Sequence, residues 1–139
     1  MDSRLENPTR IMRIALGLMA TLAGLDKFFN ILADWGSYVS PAAAQLVPFS
    51  TDVLMGIVGV VEIAVGIGIL TTVPVLGAYV ASAWLLLVAI NLVTAGHFDV
   101  AVRDVVLSIA AFTLARLIQV RGESEVREAA PHLSLGHVA

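Results

Sequence analysis

Among the polar and charged residues that interrupt the apolar stretches of this chain, seven are best able to perform chemistry. They are Asp26, Lys27, Asn30, Glu62, Asn91, Arg103 and Asp104. Their carboxylates can exchange protons, while their amide, ammonium and guanidinium groups can hydrogen-bond a polar headgroup. Because ionisable groups are costly among apolar residues, they mark a candidate proton or ligand site.

The composition indicates what surrounds these polar residues. Of the 139 residues, 58% are hydrophobic and 14% are charged, and the mean hydropathy is +0.90. An ordinary soluble domain carries about 25% charged residues, so we expect this chain to lie in a lipid bilayer. The chain has no basic stripe that would bind nucleic acid. Because it has no cysteine, disulfides and thiolate metal sites are excluded, and we expect no metal.

Four stretches are long enough to cross a bilayer as helices, since a spanning helix needs about 20 mostly apolar residues. They lie at about 11–32, 53–72, 75–95 and 100–119. We therefore predict an all-α, polytopic membrane protein, an antiparallel bundle of four transmembrane helices with tails at 1–10 and 120–139. Arginines are concentrated near both ends, whereas loops 33–52 and 96–99 contain no Lys or Arg. The positive-inside rule then places both termini in the cytoplasm.

The first loop contains a signal for one short helix. Ser40 followed by Pro41 is typical of an N-cap and first helical position, so the segment 40–47 is predicted to be helical. Trp35 and Tyr38 precede it and suit the interface between lipid headgroups and water. We expect this helix to lie on the membrane surface.

In such a bundle most of the polar residues fall at a similar depth. A rise of about 1.5 Å per residue places Lys27, Asn91, Arg103 and Asp104 roughly 8–10 Å outside the midplane, with Glu62 near the midplane. Each charge would cost about 2.5–3.5 kcal/mol if it faced lipid alone. We therefore expect the charged side chains to pair with one another between the helices.

Glu62 lies on a strip of small residues. Gly56, Gly59 and Gly66 share its helical face, and small residues let membrane helices pack closely. This face should therefore point into the bundle rather than toward lipid. If all the charged residues of the cluster were ionised, the cluster would carry an excess of negative charge. We therefore expect Glu62 to hold a proton part of the time.

Two interpretations of the polar cluster remain open. In the structural one, buried ion pairs only fix the register and orientation of the helices. In the functional one, the cluster lines a pocket that opens outward and admits a proton, a quinone headgroup or a small solute. The aromatic residues that could form its apolar wall are Phe28, Phe29, Trp84 and Phe98. For Trp84, core packing is the commoner role.

Three segments resemble the DoxX-like (DoxX/DoxD) family of small four-helix membrane proteins. They are RIALGLMATLAGLDKFF, the pattern GxxExxxGxGIL and the arginine–aspartate pair that opens the fourth span; the matching positions are Lys27, Glu62, Arg103 and Asp104. The resemblance covers about residues 10–120. It implies a four-helix protein of a bacterial or archaeal plasma membrane. The founding relatives of the family are membrane subunits associated with thiosulfate:quinone or quinol oxidation.

From this resemblance we expect an accessory or quinone-site subunit of a membrane redox system. No haem-ligand, cysteine or flavin motif is present, so the chain is not expected to be catalytic alone and would need a membrane or peripheral redox protein as partner. We expect no covalently bound cofactor. One alternative is a small proton-coupled transporter that uses Glu62, and another is a structural or assembly subunit. A homo-oligomer formed through the glycine strip also stays open.

Overall fold

The computed structural model describes residues 3–134, with side chains described for residues 5–128. Within these residues the chain is all-helical, which confirms the predicted fold class at that level. The α-helices are α1 (Ser3–Asp26), α2 (Pro41–Leu46), α3 (Thr51–Leu70), α4 (Pro74–Thr94) and α5 (Phe98–Ser134). A short 3-10 helix, Trp35–Tyr38, precedes α2.

Two of the helices, α3 and α4, are long and apolar enough to cross a membrane. They contain 20 and 21 residues and have mean hydropathies of 2.5 and 2.0. Only 22% and 28% of their apolar windows are buried inside the fold, so most residues of these windows are at least partly accessible from outside. They correspond to the stretches predicted at 53–72 and 75–95.

Helix α1 begins and ends earlier than the predicted first span. It takes in most of the predicted N-terminal tail, and it ends at Asp26 rather than near residue 32. The Asp26 carboxylate accepts hydrogen bonds from the backbone N–H of Ile31 at 3.0 Å and of Leu32 at 2.9 Å. Asn30 adopts a φ of 52°, in the left-handed region that asparagine tolerates. The chain therefore turns just after Asp26.

Helix α5 extends well past the predicted fourth span at 100–119. It runs without interruption from Phe98 to Ser134 and includes much of the segment predicted as a C-terminal tail. Gly122 lies inside it without ending it, because an interior glycine costs a helix only about 1 kcal/mol.

Helices α1 and α3 form one closely packed pair. A Cβ atom added at Gly24 would lie 2.6 Å from the backbone oxygen of Gly59, and one added at Gly66 would lie 2.7 Å from that of Gly17. Such approaches leave no room for a side chain. The glycine strip of α3 therefore packs against another helix, as its pattern predicts.

Helices α4 and α5 form the second pair. The hydroxyl groups of Ser82 and Ser108 lie 3.0 Å apart, and Ser108 also donates to the backbone oxygen of Ser82 at 2.8 Å. Small buried residues such as Ala78 and Ala111 fill the rest of this contact. Helices α1 and α5 touch each other little, so space is left between the two pairs.

Arg13 fastens α1 to the end of α3. Its guanidinium donates to the backbone oxygens of Ile69 at 2.7 Å, Leu70 at 2.9 Å and Thr71 at 2.8 Å. The last carbonyl groups of a helix lack intrahelical partners and carry partial negative charge. Arg13 satisfies them and places α1 in register with α3.

Candidate functional site

A cavity of about 680 Å³ lies between the α1/α3 pair and the α4/α5 pair. All four long helices and α2 contribute to its wall, which is mostly apolar. On α3 the lining residues run from Leu54 to Ile69, a distance of roughly 22 Å at about 1.5 Å per residue. The cavity is therefore a long apolar slot parallel to the helices.

The structure brings five of the seven predicted polar residues to this cavity. They are Lys27, Glu62, Asn91, Arg103 and Asp104. They come from α3, α4, α5 and the turn that follows α1. The sequence therefore anticipated most of the polar wall, although it could not assign the pairs.

Lys27 and Glu62 form the central ion pair of the wall. The Lys27 Nζ lies 2.5 Å from Oε2 of Glu62, and the two side chains are 5% and 15% exposed. The same Nζ lies 3.9 Å from the centroid of the Trp35 ring. A carboxylate and an aromatic face thus hold the ammonium together, and both attract a cation.

Asp26 binds groups of the loop that follows α1 and does not line the cavity. Besides the two backbone N–H groups described above, it accepts a hydrogen bond from Nε1 of Trp35 at 2.8 Å. This contact lays the Trp35 ring over Lys27. Asn30 accepts from the backbone N–H of Trp35 at 3.4 Å and borders a separate, smaller cavity of about 250 Å³. Both residues leave the predicted cluster because the chain turns after Asp26.

Arg103 and Asp104 pair with each other rather than with another helix. Both Nε and Nη2 of Arg103 lie 2.8 Å from Oδ1 of Asp104. The Arg103 side chain is 57% exposed, whereas that of Asp104 is 4% exposed. Asp104 is near enough to Glu62 for the two carboxylates to repel each other.

Asn91 holds the loop and α2 over one end of the cavity. Its Oδ1 accepts from the backbone N–H of Ser40 at 3.0 Å, and its Nδ2 donates to the backbone oxygen of Tyr38 at 2.8 Å. The Ser40 hydroxyl in turn accepts from the backbone N–H of Ala43 at 3.1 Å. This N-cap confirms the predicted short helix, here α2.

Trp84 contributes an unpaired donor to the cavity wall. Its Nε1 is buried and has no hydrogen-bond partner among the described residues. The Glu62 carboxylate lies close enough to this indole to be a weak acceptor, but the two groups do not meet hydrogen-bond distance and angle. A buried N–H without an acceptor costs about 1–3 kcal/mol, and native proteins rarely leave one.

The other predicted aromatic wall residues lie elsewhere. Phe28, Phe29 and Phe98 are exposed and do not line the cavity. Phe28 packs beside Gly56 and Gly59 of α3 and borders the smaller cavity instead. Phe29 lies in the same turn, and Phe98 is the first residue of α5.

Two aromatic residues of the wall, Trp35 and Tyr38, were assigned by the sequence to the membrane interface instead. In the sequence, the one feature that could have placed these two residues at the cavity is that they follow Lys27 closely. The hydrogen bond from Trp35 to Asp26 and the contact with the Lys27 ammonium hold that ring at the cavity.

Comparison of the chain with protein-family models, with curated proteins and with solved structures finds no match. Membership of the DoxX-like family therefore stays a prediction. The function has to be argued from the cavity and its side chains.

Proposed function

We propose that the chain is an integral membrane protein whose cavity binds an amphipathic molecule of the quinone class. In this proposal α1, α3, α4 and α5 all span the bilayer, and both termini face the cytoplasm. Large apolar side chains on the outside of all four helices support it, among them Leu22, Val60, Ile90 and Ile109. Such side chains are stable next to lipid and unfavourable in water. The arginines near both ends of the chain support the orientation.

The observation that carries this proposal is the shape and polarity of the cavity. Its volume of about 680 Å³ falls within the range of about 300–1,000 Å³ that is usual for small-molecule sites. A quinone needs an apolar slot for its tail and one or two polar contacts for its headgroup. The cavity offers a long apolar wall with its polar side chains in one part of it.

The wider role that fits such a site is an accessory or quinone-site subunit of a membrane redox system. The resemblance of the lysine, glutamate and arginine–aspartate positions to the DoxX-like pattern supports this role. The electrons would come from a membrane or peripheral redox protein, and this chain would hold the quinone beside it. The setting is the plasma membrane of a bacterium or archaeon.

A matched pair of substitutions in α3 tests the binding site. Val58 lines the cavity, whereas Val60 lies two residues away on the exposed face. Val58→Phe should weaken binding of decylubiquinone about tenfold or more, because extra volume in a packed space costs roughly 1–3 kcal/mol. Val60→Phe makes the same chemical change toward lipid and should bind like the native protein. Quenching of tryptophan fluorescence in nanodiscs measures both affinities.

Equal affinities for the two variants would contradict the proposed site. Extraction of the native protein from its own membrane provides a second check, since a quinone-site subunit should retain quinone or a redox protein through mild purification. Repeated isolation with neither would remove the support for a redox role.

A second function, proton-coupled transport, is favoured by the position of Glu62 in the cavity wall. A carboxylate at this place could exchange a proton while a solute occupies the slot. Proteoliposomes with an imposed pH gradient should then show solute flux that Glu62→Gln abolishes. Absence of flux in the native protein would leave the quinone site as the better explanation of the cavity.

A further inference from the structure

The charges around the cavity are already balanced within the protein. Its wall contains four charged side chains, and they form two pairs, Lys27 with Glu62 and Arg103 with Asp104. A charged headgroup would therefore add an uncompensated charge to a mostly apolar space. This arrangement favours an uncharged ligand.

The polar atom that lacks a partner is a donor. Among the side chains that the structure describes, only Nε1 of Trp84 is a buried nitrogen or oxygen without a hydrogen bond. An indole nitrogen carries one hydrogen and cannot accept. The group that completes this site must therefore supply an acceptor.

The nearest charged candidates do not fill that role. Glu62 accepts from Lys27 through Oε2, and the Lys27 ammonium is further held against the Trp35 ring. The Glu62 carboxylate lies beside the indole but does not reach it with hydrogen-bond distance and angle. A ligand in the cavity can reach the indole without disturbing any pair.

We propose that Nε1 of Trp84 is the headgroup donor of the cavity, and that its ligand is a neutral amphiphile with an oxygen acceptor, such as a quinone carbonyl. This inference rests on the proposed function to the extent that the cavity binds a small molecule. In this arrangement Trp84 orients the ligand, and the two ion pairs stabilise the helices that form the cavity wall.

The chain provides its own control, because it contains two tryptophans. Nε1 of Trp35 already donates to Asp26 at 2.8 Å, whereas Nε1 of Trp84 has no acceptor. Both indole N–H groups give separate signals in a proton–nitrogen correlation spectrum of protein labelled with ¹⁵N-tryptophan in nanodiscs. Trp84→Phe and Trp35→Phe assign the two signals.

Titration with decylubiquinone should move the Trp84 indole proton downfield in a saturable way, and further than the Trp35 indole proton, which keeps its hydrogen bond to Asp26. Trp84→Phe should weaken decylubiquinone binding about three- to tenfold, the usual effect of one neutral hydrogen bond. Decylbenzene, which has the tail and ring but no acceptor, should bind both proteins equally. This comparison separates the lost N–H from any change in packing.

The outcomes distinguish this inference from the proposed function. Saturable quenching of Trp84 fluorescence in the Trp35→Phe protein, with no shift of the Trp84 indole proton, would overturn the inference and leave the quinone site standing. No response to decylubiquinone, combined with an indole shift caused by monoolein, would support the inference with a lipid ester as ligand and contradict the quinone role. Tighter binding of decanoate than of either neutral probe would overturn the requirement for an uncharged ligand.

Discussion

Replacing Lys27 with methionine should lower the free energy of unfolding by about 3–5 kcal/mol, the usual effect of removing one partner of a buried ion pair. The substitution leaves the Glu62 carboxylate mostly buried without its counter-charge. It also removes the cation that packs on the Trp35 ring. Reversible unfolding of the purified protein in mixed micelles, titrated with sodium dodecyl sulfate, measures the change.

Two further variants make this prediction specific. The double substitution Lys27→Met with Glu62→Leu should recover much of the lost stability, because neither charge is then left unpaired. Arg121→Met removes a longer and more exposed ion pair of α5, in which Nη2 of Arg121 lies 3.9 Å from Oε1 of Glu125. This substitution should lower the free energy of unfolding by less than about 1 kcal/mol. If Lys27→Met were as mild as Arg121→Met, the pair with Glu62 would not hold the helices together.

Replacing Gly66 with alanine should lower the free energy of unfolding by about 3 kcal/mol. The added Cβ would lie 2.7 Å from the backbone oxygen of Gly17 and 2.7 Å from the backbone nitrogen of Thr21. Backbone atoms of a helix cannot move aside alone, so α1 and α3 would have to separate. The same unfolding titration measures the loss.

Gly56→Ala is the matched control for this substitution, because it lies in the same helix. The nearest atom to its added Cβ is a carbon of the Phe28 ring at 3.7 Å, an ordinary contact. Its effect should be neutral or slightly stabilising, since alanine favours helix over glycine by about 1 kcal/mol. A similar loss at both positions would contradict the close contact of α1 with α3.

Together these experiments separate the two interpretations of the polar cluster. The Lys27–Glu62 pair joins the turn after α1 to α3, so its loss affects stability whether or not a ligand binds. Val58 and Trp84 take no part in an ion pair and face the cavity. Loss of ligand binding in their variants, without a large loss of stability, would assign a function to the cavity itself.

The helices were predictable to different degrees. Continuous apolar runs predicted α3 and α4 closely, because an apolar run of about 20 residues is typical of a helix that spans a membrane. The end of α1 could not be predicted, because it depends on the Asp26 carboxylate, which binds backbone N–H groups five and six residues further along the chain. The length of α5 was underestimated for a different reason. A polar segment after a span can be helical or not, and the hydropathy pattern does not distinguish the two.

The sequence by itself determined that this chain is apolar and helical, and that its apolar segments contain charged residues that need partners. Those properties follow from composition and from the cost of burying charge. The tertiary structure decided which groups meet, because the sequence left the pairing of the charged side chains open. Backbone contact at Gly24 and Gly59 brings Glu62 beside Lys27, while the turn after α1 engages Asp26 with Trp35. Only the tertiary structure shows that the Trp84 indole makes no hydrogen bond. Whether a buried donor has a partner depends on how the helices pack, which the sequence pattern does not indicate.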